Sequence, residues 1–185
     1  MLPDAQVEAR WPSFEGGGHG TCRDRELEGL GGHVHDEAGL ATGVEFMKLK
    51  EVMVVDDCDA DLLFTQLMLE AAEISESIRT FGTAREALEY LRLGSATRVD
   101  IILLDINMPE MSGFEFLETY QSLRGLLQAQ AVVVMLSSSA NVRDRERAAG
   151  FPCVKGYVTK PIDVSSAQLL HQLVAGLVTS GSSAS

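Results

Sequence analysis

The chain has 185 residues, 45% of them hydrophobic, and 15 basic side chains against 27 acidic ones give a formal net charge of −12. That length suits one core of ordinary size with chain to spare, and the acidity excludes a surface that grips phosphate backbones, which needs clustered Lys and Arg, so no direct nucleic-acid contact is expected. Cys22, Cys58 and Cys153 have no CxxC spacing and leave one thiol over in any pairing; no apolar run approaches the roughly 20 residues that span a bilayer, and no basic-then-apolar leader opens the chain, so a soluble protein of a reducing cytoplasm is expected.

Residues 1–46 hold nine of the 17 glycines, three of the four histidines and the only tryptophan, without helical or strand periodicity. Segments such as GGGHG offer too little apolar surface to offset the entropy of ordering, so a disordered Gly-rich extension is expected; a translation start at Met47 explains it equally well. His33, His35 and Asp36, with His19 and Cys22 upstream, are read as incidental, not as a metal cluster. From Met47 strand and helix patterns alternate. EVMVV (51–55) reads as a strand and DADLLFTQLMLEAAE (59–73) as a helix that Asp59 is placed to cap. SIRTF (77–81) is a strand, and TAREALEYLRLG (83–94) a helix closed by Gly94. VDIILLD (99–105) is a continuous apolar strand, buried on both faces by that pattern. Next come a helix at 112–123, a second continuous apolar strand at 131–137 and a short charged helix at 141–150. A strand at 155–159 and an amphipathic helix at 163–177 close the series. Five βα units imply an α/β, doubly wound parallel sheet with helices on both faces.

Ligands of such sheets bind beyond the carboxyl ends of the strands, and here those ends are polar. The first strand ends in Asp56-Asp57, the third in Asp105 and the fourth in Ser137-Ser138; the fifth leads into Lys160-Pro161. Three carboxylates crowded together need a cation, and a hard divalent ion with oxygen ligands answers best; Mg²⁺ uses one or two carboxylates and leaves room for a phosphoryl oxygen. Lys160 adds a point charge, and a serine hydroxyl can donate to a phosphoryl oxygen. The pattern points to phosphoryl transfer onto an aspartate.

Residues 47 to about 178 resemble the receiver domain of bacterial response regulators, on four motifs: VVDDCDAD, LLDINMPEMSG, VMLSSSA and YVTKP. The resemblance implies the flavodoxin-like fold with strand order 2-1-3-4-5 and five helices. It implies Asp105 as phosphoacceptor, with Asp57, Asp105 and the backbone carbonyl of Asn107 holding Mg²⁺ and Asp56 acting mainly through bound water. Lys160 then pairs with the phosphoryl group, and its bond to Pro161 is a candidate cis peptide. Ser137 matches the switch hydroxyl and Tyr157 the aromatic that packs inward with it. Met108, Pro109 and Gly113 shape the loop after Asp105, where a backbone amide approaches the phosphate closely. The implied phosphoryl donor is a histidine kinase or a histidine phosphotransfer protein, the recipient an unknown downstream protein target.

Several plainer or competing readings stand beside these. The acidic pair and Asp59 or Asp61 can cap a helix, three serines can be turn residues, and Tyr157 can be an ordinary strand aromatic. Cys58 is read as a small residue beside the site, not a redox sensor. The segment GFPCVKGY is longer than in the plainest family members, and the fourth helix, with Arg143, Asp144, Arg145, Glu146 and Arg147, suits either a homodimer held by reciprocal salt bridges or a solvated face. After Leu177 only VTSGSSAS remains, which reads as a flexible tail over 179–185 with no output domain. The expected protein is a free-standing receiver, not an enzyme beyond Mg²⁺-dependent self-phosphorylation and autodephosphorylation; a shuttle or sink in a phosphorelay has the same sequence. An aspartyl-phosphate phosphatase would want a general acid two residues after the nucleophile, where Asn107 stands, and a flavin carrier would want a phosphate-cradling loop where DDCDAD repels phosphate.

Overall fold

Apolar runs that cannot face water on either side form the centre of one sheet, and a more polar strand closes one edge. The computed structural model describes residues 48–93, 99–123, 131–138 and 141–180, with side chains to 174. Strands β1 (Leu49–Val55), β2 (Ser75–Phe81), β3 (Val99–Asp105), β4 (Val132–Ser137) and β5 (Val154–Thr159) are all parallel, in the order β2-β1-β3-β4-β5. Helices α1 (Asp59–Ala72), α2 (Ala84–Arg92), α3 (Gly113–Leu123), α4 (Val142–Ala149) and α5 (Val164–Ser180) alternate with them. This is the expected flavodoxin-like doubly wound fold.

Because side chains alternate along a strand, each central strand feeds two cores. Met53, Val55, Ile102, Leu104, Val133 and Met135 point to one face and meet Ala87 and Leu88 of α2, Phe116, Leu117 and Tyr120 of α3, and Ala148 of α4. Val52, Val54, Ile101, Leu103, Val134 and Leu136 point to the other and meet Leu69 of α1 and Ala167, Leu170 and Val174 of α5. Every residue of β3 is buried, Asp100 included, whose carboxylate accepts from the Lys50 N–H at 2.6 Å. Each such Val, Ile or Leu contributes about 1.5–3 kcal/mol of transfer free energy, which makes this double burial the main force holding the sheet. The β2 edge is guarded by Glu76, Ser77, Arg79 and Thr80, whose polar side chains discourage a further strand.

Two local expectations differ in detail. Asp59 does not cap α1: the N-cap is Cys58, whose side chain makes no capping bond, and the Cys58 N–H donates to Asp56 Oδ1 at 3.1 Å. The carboxylate two residues back satisfies the turn and leaves Asp59 inside the first helical turn. Gly94 lies outside the described residues, and α2 reaches Leu93 as its C-cap. Residues 1–46, Ser139 and the tail over 181–185 also lie outside them. Among the described residues no helix is long and apolar enough to cross a membrane.

Candidate functional site

The strand register brings the polar ends together. Val55 lies opposite Leu104, Asp105 opposite Leu136, and Ser137 opposite Thr159, so the chain leaves β1, β3, β4 and β5 at nearly one level. Asp56 follows β1, Asp105 closes β3, Ser137 closes β4, and Lys160 follows β5. The Lys160 N–H donates to the Ser137 carbonyl at 2.8 Å, which ties the lysine backbone to the neighbouring strand end; the Lys160–Pro161 bond is cis.

The Lys160 ammonium is the centre of the arrangement. It lies 2.6 Å from Asp105 Oδ1, 2.5 Å from Asp56 Oδ2 and 3.1 Å from Asp61 Oδ2. Asp105 is anchored on its other oxygen, which accepts from the Asn107 N–H at 2.6 Å. Asp56 is anchored by Cys58. The Asp56 carboxyl is held above its ordinary range by burial, against the opposing pull of Lys160 and the Cys58 amide, with the Asp105 charge adding to the rise. At Lys160 burial pushes the ammonium down, but its contacts with Asp105, Asp56 and Asp61 outweigh burial and hold it well above the ordinary lysine range. The three carboxylates therefore favour the charged form of Lys160.

The loop after Asp105 returns tightly on the acceptor. Gly113 donates to the Ile106 carbonyl at 2.9 Å, and a Cβ at Gly113 would sit 2.3 Å from the backbone oxygen of Asp105, a distance no side chain tolerates. Glycine is required there by close approach. Met108 is buried and Pro109 exposed. A capping box then starts α3: the Ser112 N–H donates to Glu115 Oε2 at 2.8 Å and the Glu115 N–H to Ser112 Oγ at 3.3 Å.

Ser137 is fully buried and Tyr157 is 7% exposed, with its ring turned inward beneath the Arg145 guanidinium at 5.0 Å. Asp57 and the Asn107 side chain are exposed, and Asp57 is not among the carboxylates that contact Lys160. Asp61 takes a place that sequence reasoning had not given it; its only sequence signal was position in the first turn of the helix after the acidic pair.

The donor set suits a hard cation. Asp56 Oδ2 is buried and accepts no aligned hydrogen bond, its contact with Lys160 being one of charge, and the convergent oxygens are all carboxylate. Among the described residues no three His, Cys, Asp or Glu side chains are gathered in metal-binding geometry, because the carboxylates that converge do so around the ammonium.

With this geometry in view, the family comparison is direct. Residues 52–174 match the model of the response regulator receiver domain. The cell cycle response regulator CtrA of Brucella ovis is 36% identical over 110 residues, which is 60% of this chain and 43% of that protein. The chain therefore spans less than half the length of the curated relatives it matches. A two component response regulator from Cytophaga hutchinsonii superposes with a TM-score of 0.65 at 25% identity, covering 70% of this chain and 99% of that one. The chemotaxis protein CheY4 of Vibrio cholerae gives a TM-score of 0.55 at 25% identity, covering 68% and 98%. A matched family model, the parallel order β2-β1-β3-β4-β5 and a lysine ammonium set between strand-end aspartates all agree: the chain belongs to the response regulator receiver domain family.

Proposed function

We propose that this receiver takes a phosphoryl group on Asp105 from a phosphohistidine of a histidine kinase or histidine phosphotransfer protein, and that the modified domain changes its affinity for a downstream protein. A carboxylate oxygen of Asp105 attacks phosphorus, the P–N bond to the donor histidine breaks with its electron pair returning to the ring, and an acyl phosphate forms. The observation that carries the reading is the Lys160 ammonium 2.6 Å from Asp105, from a residue 55 positions away in sequence. A buried carboxylate already held by a fixed cation and a backbone amide has its charge compensated before the reaction starts. Asp56, Asp57, Asp105 and the Asn107 carbonyl would hold Mg²⁺, which when bound supplies positive charge to the phosphoryl oxygens. Lys160 stays charged throughout and follows the transferred group.

Output is read through the same strand ends. Ser137 donates its hydroxyl to the phosphoryl group in this reading, and a shift of that hydroxyl changes the space beside Tyr157, which links the site to α4, β5 and α5 as the partner-binding face. A shuttle or sink in a phosphorelay uses the same acceptor and differs in what removes the phosphoryl group. The domain so proposed spans 47–178.

Intact-mass spectrometry after incubation with acetyl phosphate or phosphoramidate tests the reading. One phosphoryl adduct is expected with Mg²⁺, none after chelation and none in Asp105→Asn. An adduct that survives Asp105→Asn would place the acceptor elsewhere, and no adduct in the wild type would sink the proposal.

A further inference from the structure

We infer that Asp61 is a positioning residue that shares Lys160 with the acceptor site and thereby sets the balance between cation and anion binding there. The inference rests on the reading of Asp105 as acceptor and deepens it. An ammonium has three protons, and Lys160 meets three carboxylates: Asp56, Asp105 and Asp61. The first two are fixed at strand ends, each by a backbone amide. Asp61 comes from a different kind of element, the first turn of α1, and reaches across 99 residues of sequence to Lys160 Nζ. Its side chain is 46% exposed where that of Lys160 is 13% exposed, so the pair runs from the buried site to the rim.

Asp61 is not the cap of its helix. The N-cap of α1 is Cys58 and its turn is satisfied by Asp56. What remains is a carboxylate on the same ammonium that an incoming phosphoryl group must use. Asp61 and Asp105 touch one nitrogen at 3.1 and 2.6 Å, which puts their oxygens within about 6 Å of each other. A phosphoryl group on Asp105 adds negative charge at that range and competes for Lys160. A cation bound beside Asp105 is favoured by the same carboxylate. Asp61 therefore acts with opposite sign on the two species, weakening the anion and strengthening the metal.

The test uses the full chain and two probes, Mg²⁺ alone by titration calorimetry and beryllofluoride at saturating Mg²⁺ by fluorine NMR. Asp61→Asn is expected to bind Mg²⁺ about 3- to 10-fold more weakly and beryllofluoride about 3- to 10-fold more tightly, a range discounted for the exposure of Asp61. Asp61→Glu, which keeps the charge, is expected to move both affinities back toward wild type. A merely structural or helix-terminal acid would leave both unchanged or weaken both on substitution, and either result overturns the inference. A wild-type chain that takes neither beryllofluoride nor a phosphoryl group would instead fail the acceptor reading itself, which separates the two failures.

Discussion

Asp56 carries a carboxylate at 1% exposure and shares one ammonium with two other acids, so the same ion pair reads as favourable from Lys160 and unfavourable from Asp56. The directions differ because three carboxylate partners outweigh burial at Lys160, whereas at Asp56 burial outweighs Lys160 and the Cys58 amide, with Asp105 adding a smaller repulsion. The Asp56 direction governs stability, since Lys160 keeps two carboxylates when Asp56 is neutral. A raised folded pKa means that the folded state holds the proton more tightly than the unfolded one. The associated stability is full below the ordinary aspartate value of 3.8 and is lost as pH rises through the folded value. At neutral pH the ionised Asp56 is thus a cost retained for chemistry. Asp56→Asn is expected to unfold at a higher temperature than wild type at pH 7 in chelator, with the difference shrinking toward pH 3.8. Thermal unfolding across that pH range checks it; a less stable variant at pH 7 would show that Lys160 needs all three partners.

At the scale of elements, caps decide where chain turns back from the site. Asp163 Oδ1 accepts from the Ser166 N–H at 2.7 Å at the start of α5, three residues after Lys160, and that bond holds its carboxyl below the ordinary range. Asp163→Ala is expected to cost about 1 kcal/mol, measured by urea unfolding near neutral pH. The sign is the reverse of that at Asp56: this contribution is present above the ordinary aspartate value and fades as pH falls through the lowered one. Equal loss at pH 7 and at low pH would rule out the charged cap. The charged helix α4 shows how tertiary contacts settle what a sequence leaves open. Of the three arginines read there as a dimer face or a solvated one, Arg145 lies over Tyr157, and Arg147 lies 4.1 Å from the Phe114 ring centroid with Glu118 as an ion-pair partner at 3.6 Å. Arginine stacks on aromatic faces and leaves its charge at the rim, a use that a charge count along a helix does not reveal.

For the whole molecule, the legible part of the sequence was whatever depends on burial periodicity and on strand ends. VDIILLD marked β3 to the residue because a strand buried on both faces carries an unbroken apolar run, here Ile101 to Leu104, up to the carboxylate. The polar strand ends converge because a parallel sheet aligns them, so Asp56, Asp105 and Lys160 could be assigned to one edge from order alone. Asp57 and Asp61 were harder to place, because which of several acids in one turn faces the lysine depends on helix phase and on a contact across 99 residues. The limits of the folding unit follow from the same packing. Both core clusters, among the described residues, are drawn from Leu49 to Val174, with each strand face covered by helices from within that span. A chain beginning at Met47 is therefore expected to unfold within about 2 °C of the full chain, since a shift of that size corresponds to well under 1 kcal/mol for a domain of this length. It should also accept the same single phosphoryl group. A drop of several degrees would mean that residues 1–46 add packing to the receiver; an unchanged transition with lost phosphorylation would mean that they act on the site and not on the fold.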